Sequence, residues 1–258
     1  MKLAWVTHHL PREIDSDHPA HLPGRFVGGA EMTDAALIEA APDGVEIQLL
    51  GPDSWEQALD AEEIVVTGTD LLTDEAMYAL AERKPPVFLH HLQTRSAARG
   101  HLLEAARVLI LHTPAHLERE REWVTPRDAC LVLSPMDPTE CWQETKQDFA
   151  VWANRQHELK GPRKAAMYAA QHGMALRQLS NVPRHDVLAT MAMARWFIHL
   201  PVGFDSESRA TIEAVLSGCE CITNDNVGVT SVPGWNDPDH LASLVSNAAE
   251  TWWKAVLS

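Results

Sequence analysis

The feature that most constrains this chain is a regular alternation of short apolar runs with segments of helical pattern. The runs are Leu3–Thr7, Glu46–Leu50, Glu63–Thr67, Pro86–His90, Val108–His112 and Cys130–Leu133, then Phe149–Ala153, Met174–Leu179, Trp196–Leu200 and Cys219–Thr223. The first of them, LAWVT, is apolar on both alternating positions, as a strand covered on both faces must be. Helices are expected from Gly29 to about Ala40, over Trp55–Asp60, Thr73–Glu82, Arg95–Ala106 and Pro114–Trp123, from Pro162 to Gly173, and over Arg184–Ala194 and Arg209–Ser217. Strands separated by single helices require right-handed crossovers, so the fold class is α/β with doubly wound parallel sheets. The polar, proline-bearing segment Pro135–Asp148 interrupts the alternation and reads as a linker. Two Rossmann-like units follow from this, residues 1–134 and 135–240. The tail Pro238–Leu257 reads as one helix with an apolar face of Leu241, Leu244, Val245, Ala248, Trp252 and Val256.

Composition narrows the function. A chain of 258 residues, 45% of them hydrophobic, can build one large core or two small ones. Its net charge of −15 argues against a generic polyanion binder while leaving room for a local basic pocket. No apolar run approaches the ~18 residues of a membrane span, and no charged-then-apolar leader opens the chain. The four cysteines, Cys130, Cys141, Cys219 and Cys221, form no C-x-x-C pair, which fits a reduced, cytoplasmic protein.

The chemistry concentrates in Phe197–Trp235, FIHLPVGFDSESRATIEAVLSGCECITNDNVGVTSVPGW. It reads as strand, acidic loop (Gly203–Ser208), helix and strand, with Gly218 placed for a left-handed helix C-cap. A loop between a strand C-terminus and a helix N-terminus is where an open α/β sheet binds ligands. Asp205 lies in that loop. Glu213 lies two turns into the helix, where a carboxylate can accept hydrogen bonds from hydroxyls. Arg155 and Lys160 flank another strand-to-helix loop, NRQHELKG, and two cations beside a helix N-terminus can neutralise a pyrophosphate. Gly28 and Gly29 close the long polar loop Leu10–Val27 at the start of the first helix, where backbone can approach a ligand closely.

These segments, taken together, resemble the large group-1 family of retaining GT-B glycosyltransferases, which includes sucrose synthase and the phosphatidylinositol mannosyltransferases. The family's E-x7-E-A…G segment is similar to Asp205 through Gly218, its G-R-x4-K-G to Asn154 through Gly161, and its opening strand, loop and Gly-Gly to GGAE at Gly28–Glu31. The resemblance implies two Rossmann-like domains facing a cleft, with a last helix that crosses back onto the first domain. It implies a nucleoside-diphosphate sugar as donor, no cofactor and no metal. Donor-binding residues would be Gly28, Gly29, Arg155, Lys160, Asp205, Ser206, Glu207, Ser208, Arg209 and Glu213. Asp205 would contact the sugar, Arg155 and Lys160 the leaving diphosphate, and Glu213 the ribose. A family histidine near the transferred sugar is matched by His91, with His90 as the adjacent candidate in PVFLHHLQ. Three residues depart from the pattern: Asp205 stands for the usual Glu, Glu207 for an aromatic residue and Ser208 for a glycine.

Rival readings use the same residues. His8, His9, His90, His91 and His112 all end predicted strands of the first unit and could, with Asp15, Asp17 or Asp70, form the metal centre of a hydrolase. Against that, there is no H-E-x-x-H, and a proline separates His112 from His116. The tripeptides Asp15-Ser16-Asp17 and Asp237-Pro238-Asp239 do not follow buried strands. No G-x-G-x-x-G follows the first strand, which weakens a nicotinamide enzyme. A non-catalytic sugar-nucleotide binding module is the remaining rival. The acceptor stays open among a glycan, a small molecule, a protein and a modified nucleic-acid base. The acidic charge makes nucleic acid the less favoured of these.

Overall fold

The chain is seen in a computed structural model that describes residues 1–7, 29–89, 91, 95–125, 129–154, 158–180 and 182–258. Among these residues the strands form two sheets. The first takes β1 (Lys2–Val6), β2 (Glu46–Leu50), β3 (Glu63–Val66), β4 (Val87–Leu89), β5 (Val108–Leu111) and β6 (Ala129–Leu131), in the order β2-β1-β3-β4-β5-β6. The second takes β7 (Gln147–Ala153), β8 (Leu176–Leu179), β9 (Ala194–His199) and β10 (Glu220–Thr223), in the order β10-β9-β7-β8. Every pairing is parallel. The crossover helices are α1 (Gly29–Glu39), α2 (Asp74–Arg83), α3 (Ala97–Ala105), α4 (Pro114–Arg121), α5 (Pro162–Gln171), α6 (Arg184–Met193) and α7 (Arg209–Leu216). Between β2 and β3 the expected short helix is a 3-10 segment, Pro52–Asp60.

Local chemistry starts these helices. The side chains of Thr73, Ser96 and Thr113 each accept a hydrogen bond from an amide three residues on, capping α2, α3 and α4. Each such cap is worth about 1 kcal/mol. Gly218 adopts φ +74°, ending α7 as expected. Strand residues then divide between two faces. Ala4, Val6, Ile64, Val66 and Phe88 join α2 and α3 in one core, while Leu3, Trp5, Val65, Val87 and Leu89 join α1 in another. The second sheet repeats the plan, with Val151 and Phe197 against α6 and α7, and Trp152 and Ile198 against α5.

The tail is not the single helix expected over Pro238–Leu257. It is α8 (Pro238–Ser246) and α9 (Ala248–Leu257), broken at Asn247, whose side-chain amide donates to Ser243 O at 2.9 Å. The break lets the apolar face serve two cores. Leu241 and Val245 pack with α7, Leu133 and Met136. Only α9 crosses to the first sheet, where Trp252 stacks on Trp5 at 5.1 Å and Trp253 Nε1–H donates to Leu37 O at 2.8 Å. One straight helix could not face both. Among the described residues, no helix is long and apolar enough to cross a membrane.

Candidate functional site

In each sheet the strand order reverses beside the first strand: at β1/β3 in one, at β7/β9 in the other. At such a point the loops leave in opposite directions and open a crevice at the strand C-termini. At the first crevice, the hydroxyls of Thr7 and Thr67 donate to Asp34 Oδ2 at 3.0 and 2.7 Å, and Asp34 is fully buried on α1. Residues at the second are His199, which ends β9, and Lys160, in the short 3-10 turn Glu158–Lys160 after β7.

Three carboxylates leave the stretch Asp205–Glu213 in three directions. Asp205 turns to its own unit. Its Oδ2 accepts from His199 Nε2 at 3.0 Å and from Lys160 Nζ at 2.8 Å. Burial alone would raise the Asp205 pKa, but the His199 hydrogen bond and the Lys160 charge outweigh it and hold the carboxyl well below the usual range. The loop backbone is pinned as well, with Asp205 N–H donating to Asn226 O and Gly228 N–H donating to Asp205 O, both at 2.7 Å. Lys160 is placed by the next residue. Gly161 has φ +75°, and a Cβ there would lie 2.0 Å from Leu200 O, so only glycine lets this turn sit against the end of β9.

Glu207 turns the other way, into the first unit. Its carboxylate accepts from both the amide and the hydroxyl of Ser134 and lies 3.8 Å from His112 Nδ1. Beside it, Thr113 Oγ1 donates to Ser206 O at 2.7 Å. Glu207 was expected at the donor. Where the resembling family has an aromatic residue, Glu207 offers an acceptor, and it takes the donors of Ser134 in the first unit. Glu213 turns to α6. Its Oε1 accepts from Arg184 Nε at 3.0 Å, and Arg184 Nη1 reaches Glu140 Oε2 in the linker at 2.6 Å. Burial opposes the Arg184 charge, but the two carboxylates raise its pKa overall.

Arg209 opens α7 and is largely enclosed, which pulls its pKa down despite Glu213 and Glu207. Its Cδ lies 4.0 Å from where a Cβ on Gly29 would stand, so the start of α1 meets the start of α7. Ser208, the N-cap of α7, has φ +65°, the one non-glycine positive φ among the described residues. The left-handed conformation favours glycine over serine at this position.

His91 belongs to a chain of polar groups along the first crevice. His91 Nδ1 lies 3.1 Å from His112 Nε2, and His91 Nε2 lies 3.6 Å from Asp34 Oδ1. His112 Nδ1 lies 3.2 Å from Val132 O. A carbonyl only accepts, so His112 Nδ1 carries a proton, and in a neutral ring His112 Nε2 then accepts from His91. The chain Asp34–His91–His112 thus reaches Glu207, and so the loop that holds Asp205.

Of the sequence-predicted residues, Lys160 and Asp205 are in direct contact, Gly29 lies by Arg209, and Ser206, Glu207 and Ser208 shape the loop. Glu213 faces Arg184 rather than an open surface. Gly28, His90 and Arg155 lie outside the described residues, as do His8, His9, Asp15 and Asp17 of the metal reading. Among the described residues no group of three or more His, Cys, Asp or Glu side chains is arranged to hold a metal ion. Sequence reasoning missed His199, Arg184, Asp34 and Ser134. The available signal for His199 was its place at the end of a buried strand that leads straight into the acidic loop.

No protein-family model matches the chain, and no curated protein matches it. Solved structures do. Sucrose-phosphate synthase from Thermosynechococcus elongatus has a TM-score of 0.63 at 12% identity, over 99% of this chain and 96% of that one. HepE of Anabaena, in complex with UDP and glucose, gives 0.61 at 13% identity, over 99% and 95%. An alpha-glucosyltransferase in complex with UDP and a 13-mer DNA containing an HMU base gives 0.51 at 11% identity, over 99% and 95%. The chain therefore has the GT-B fold, two parallel-sheet α/β units of the kind these glycosyltransferases share.

Proposed function

We propose that this protein is a glycosyltransferase that moves a sugar from a nucleoside-diphosphate sugar to an acceptor, with retention of anomeric configuration and without a metal. The observation that carries this reading is the Lys160–Asp205 pair at the β7/β9 crevice, beside the N-terminus of α7. The first amides of a helix lack intrahelical partners and carry partial positive charge. Together with the ammonium of Lys160, they suit a diphosphate and the charge that grows on it as the sugar–phosphate bond breaks. Arg155 would add a second cation. In this reading the second unit, about 135–247, binds the donor, and the first unit, with α9 docked on it, presents His91 to sugar and acceptor. Support comes from the shared fold, since HepE and the DNA-bound glucosyltransferase both hold UDP.

The acceptor is unidentified. The net charge of −15 favours a neutral or cationic acceptor over nucleic acid. The test is a thermal-shift screen of UDP-, GDP- and ADP-sugars. A true donor at ~100 times its dissociation constant stabilises by about 2.7 kcal/mol. Activity should survive EDTA. Recovery of a chelated enzyme on adding zinc back, with full activity in Lys160→Ala, would replace this reading by the metal one.

A further inference from the structure

His199 is the unusual residue of β9. Its neighbours Phe197 and Ile198 are buried apolar side chains, and His199 itself is 0% exposed. An imidazole in such a place is costly unless hydrogen-bonded. Its Nε2 is bonded to Asp205 Oδ2, and since a carboxylate only accepts, Nε2 carries the proton of that contact. Its Nδ1 is buried with no hydrogen-bond partner among the described residues. Among the described residues the ring thus has a single polar contact, and that contact is the oxygen that also receives Lys160. The three groups are stacked in depth: His199 at the base, Asp205 at 11% side-chain exposure, Lys160 at the mouth with 35%.

The Asp205 backbone is fixed, its own amide and carbonyl being held by Asn226 O and Gly228 N–H, and its carboxylate is turned inward by His199 and Lys160. Being one methylene shorter than glutamate, its carboxylate stays in the wall of the crevice. We propose that His199 is a positioning residue that aims Asp205 at Lys160, so that Asp205 serves to hold the ammonium in place rather than to grip the donor sugar. This rests on the donor reading above and deepens it. Recognition of the sugar hydroxyls then falls to residues other than Asp205.

The test is UDP affinity by calorimetry, with melting temperature as a folding check, for His199→Leu, His199→Gln, His199→Asn, Lys160→Ala and the double variant His199→Leu/Lys160→Ala. Gln places an N–H near the position of Nε2, whereas Asn places one near Nδ1. His199→Gln is expected to stay within about threefold of wild type. His199→Asn and His199→Leu should each lose about tenfold, the effect of one charge-assisted hydrogen bond. In the Lys160→Ala background the His199→Leu loss should shrink below about twofold, because the two residues act in series. Additive losses would overturn the proposal, as would folded Gln and Asn variants that behave alike. Should His199→Leu not fold, the Gln and Asn pair still decides. Wild-type protein that binds no nucleoside diphosphate would remove the donor reading and this inference together. UDP binding indifferent to His199 removes the inference alone.

Discussion

The two crevices solve the same topological problem with different chemistry. At β1/β3 a buried carboxylate is satisfied by the hydroxyls of Thr7 and Thr67 and runs through two histidines, His91 and His112. At β7/β9 the carboxylate of Asp205 is satisfied by a histidine and an ammonium, and Lys160 remains part-exposed. The first arrangement suits hydroxyl groups and proton positions. The second leaves a cation at a helix N-terminus, which suits a phosphate. In the proposed function, this unequal chemistry at equivalent places would let one face hold a charged donor and the other an uncharged reacting group. Glu207 is the bridge, since it belongs to the second unit but is bonded in the first.

The harshest way to break the comparison is Gly161→Ala. Its Cβ would need to displace backbone at Leu200 O and would sit at positive φ, so stability should fall by about 2–4 kcal/mol and Lys160 should be misplaced. Urea melts and UDP calorimetry measure the two effects. Next in size is the contrast between Lys160→Ala and His91→Ala. Lys160→Ala should lower turnover by roughly 100-fold, the scale of losing one charge stabiliser in a transition state. His91→Ala should slow transfer yet leave UDP affinity within about twofold, because a group at the other crevice touches no phosphate. Equal loss of UDP affinity in both would merge the two crevices into one.

Glu207→Ala leaves the Ser134 amide and hydroxyl without their charged acceptor. A cost of about 1.5–3 kcal/mol is expected, with looser units visible as a larger radius in solution scattering. A pH series then separates the carboxylates. The Asp205 pKa is lower folded than unfolded, so its contribution is full above about pH 4 and is lost as pH falls below that toward its folded value. Asp205→Asn should therefore flatten the acid side of the stability curve, and an unchanged slope would deny the pairing with Lys160. The smallest effect is a gain. Ser208→Gly removes a left-handed serine and should add about 1 kcal/mol, read as a higher melting temperature, offset in part by the lost contact with Thr211 Oγ1.

Much of this was legible in the chain. Strand and helix positions followed from runs such as LAWVT and EIVVT, because burial on both faces leaves no choice but apolar residues. The loop of Asp205 was legible too, since it lies between a strand end and a helix start. The tail was misjudged at one point: the apolar spacing of Leu241 to Val256 continues smoothly through Asn247, although its two halves pack on different sheets. Periodicity reports that a face is buried and not against what.

The sequence by itself determined the α/β alternation, the linker and the set of groups able to do chemistry, because these depend on local pattern and residue type. Only the tertiary structure decided their partners. Strand order sets which loops meet, and the order β10-β9-β7-β8 puts the end of β9 beside the turn after β7. That adjacency makes His199, Asp205 and Lys160 one unit. It also sends Glu207 to Ser134 and Glu213 to Arg184, residues distant in the chain whose pairing no spacing rule contains.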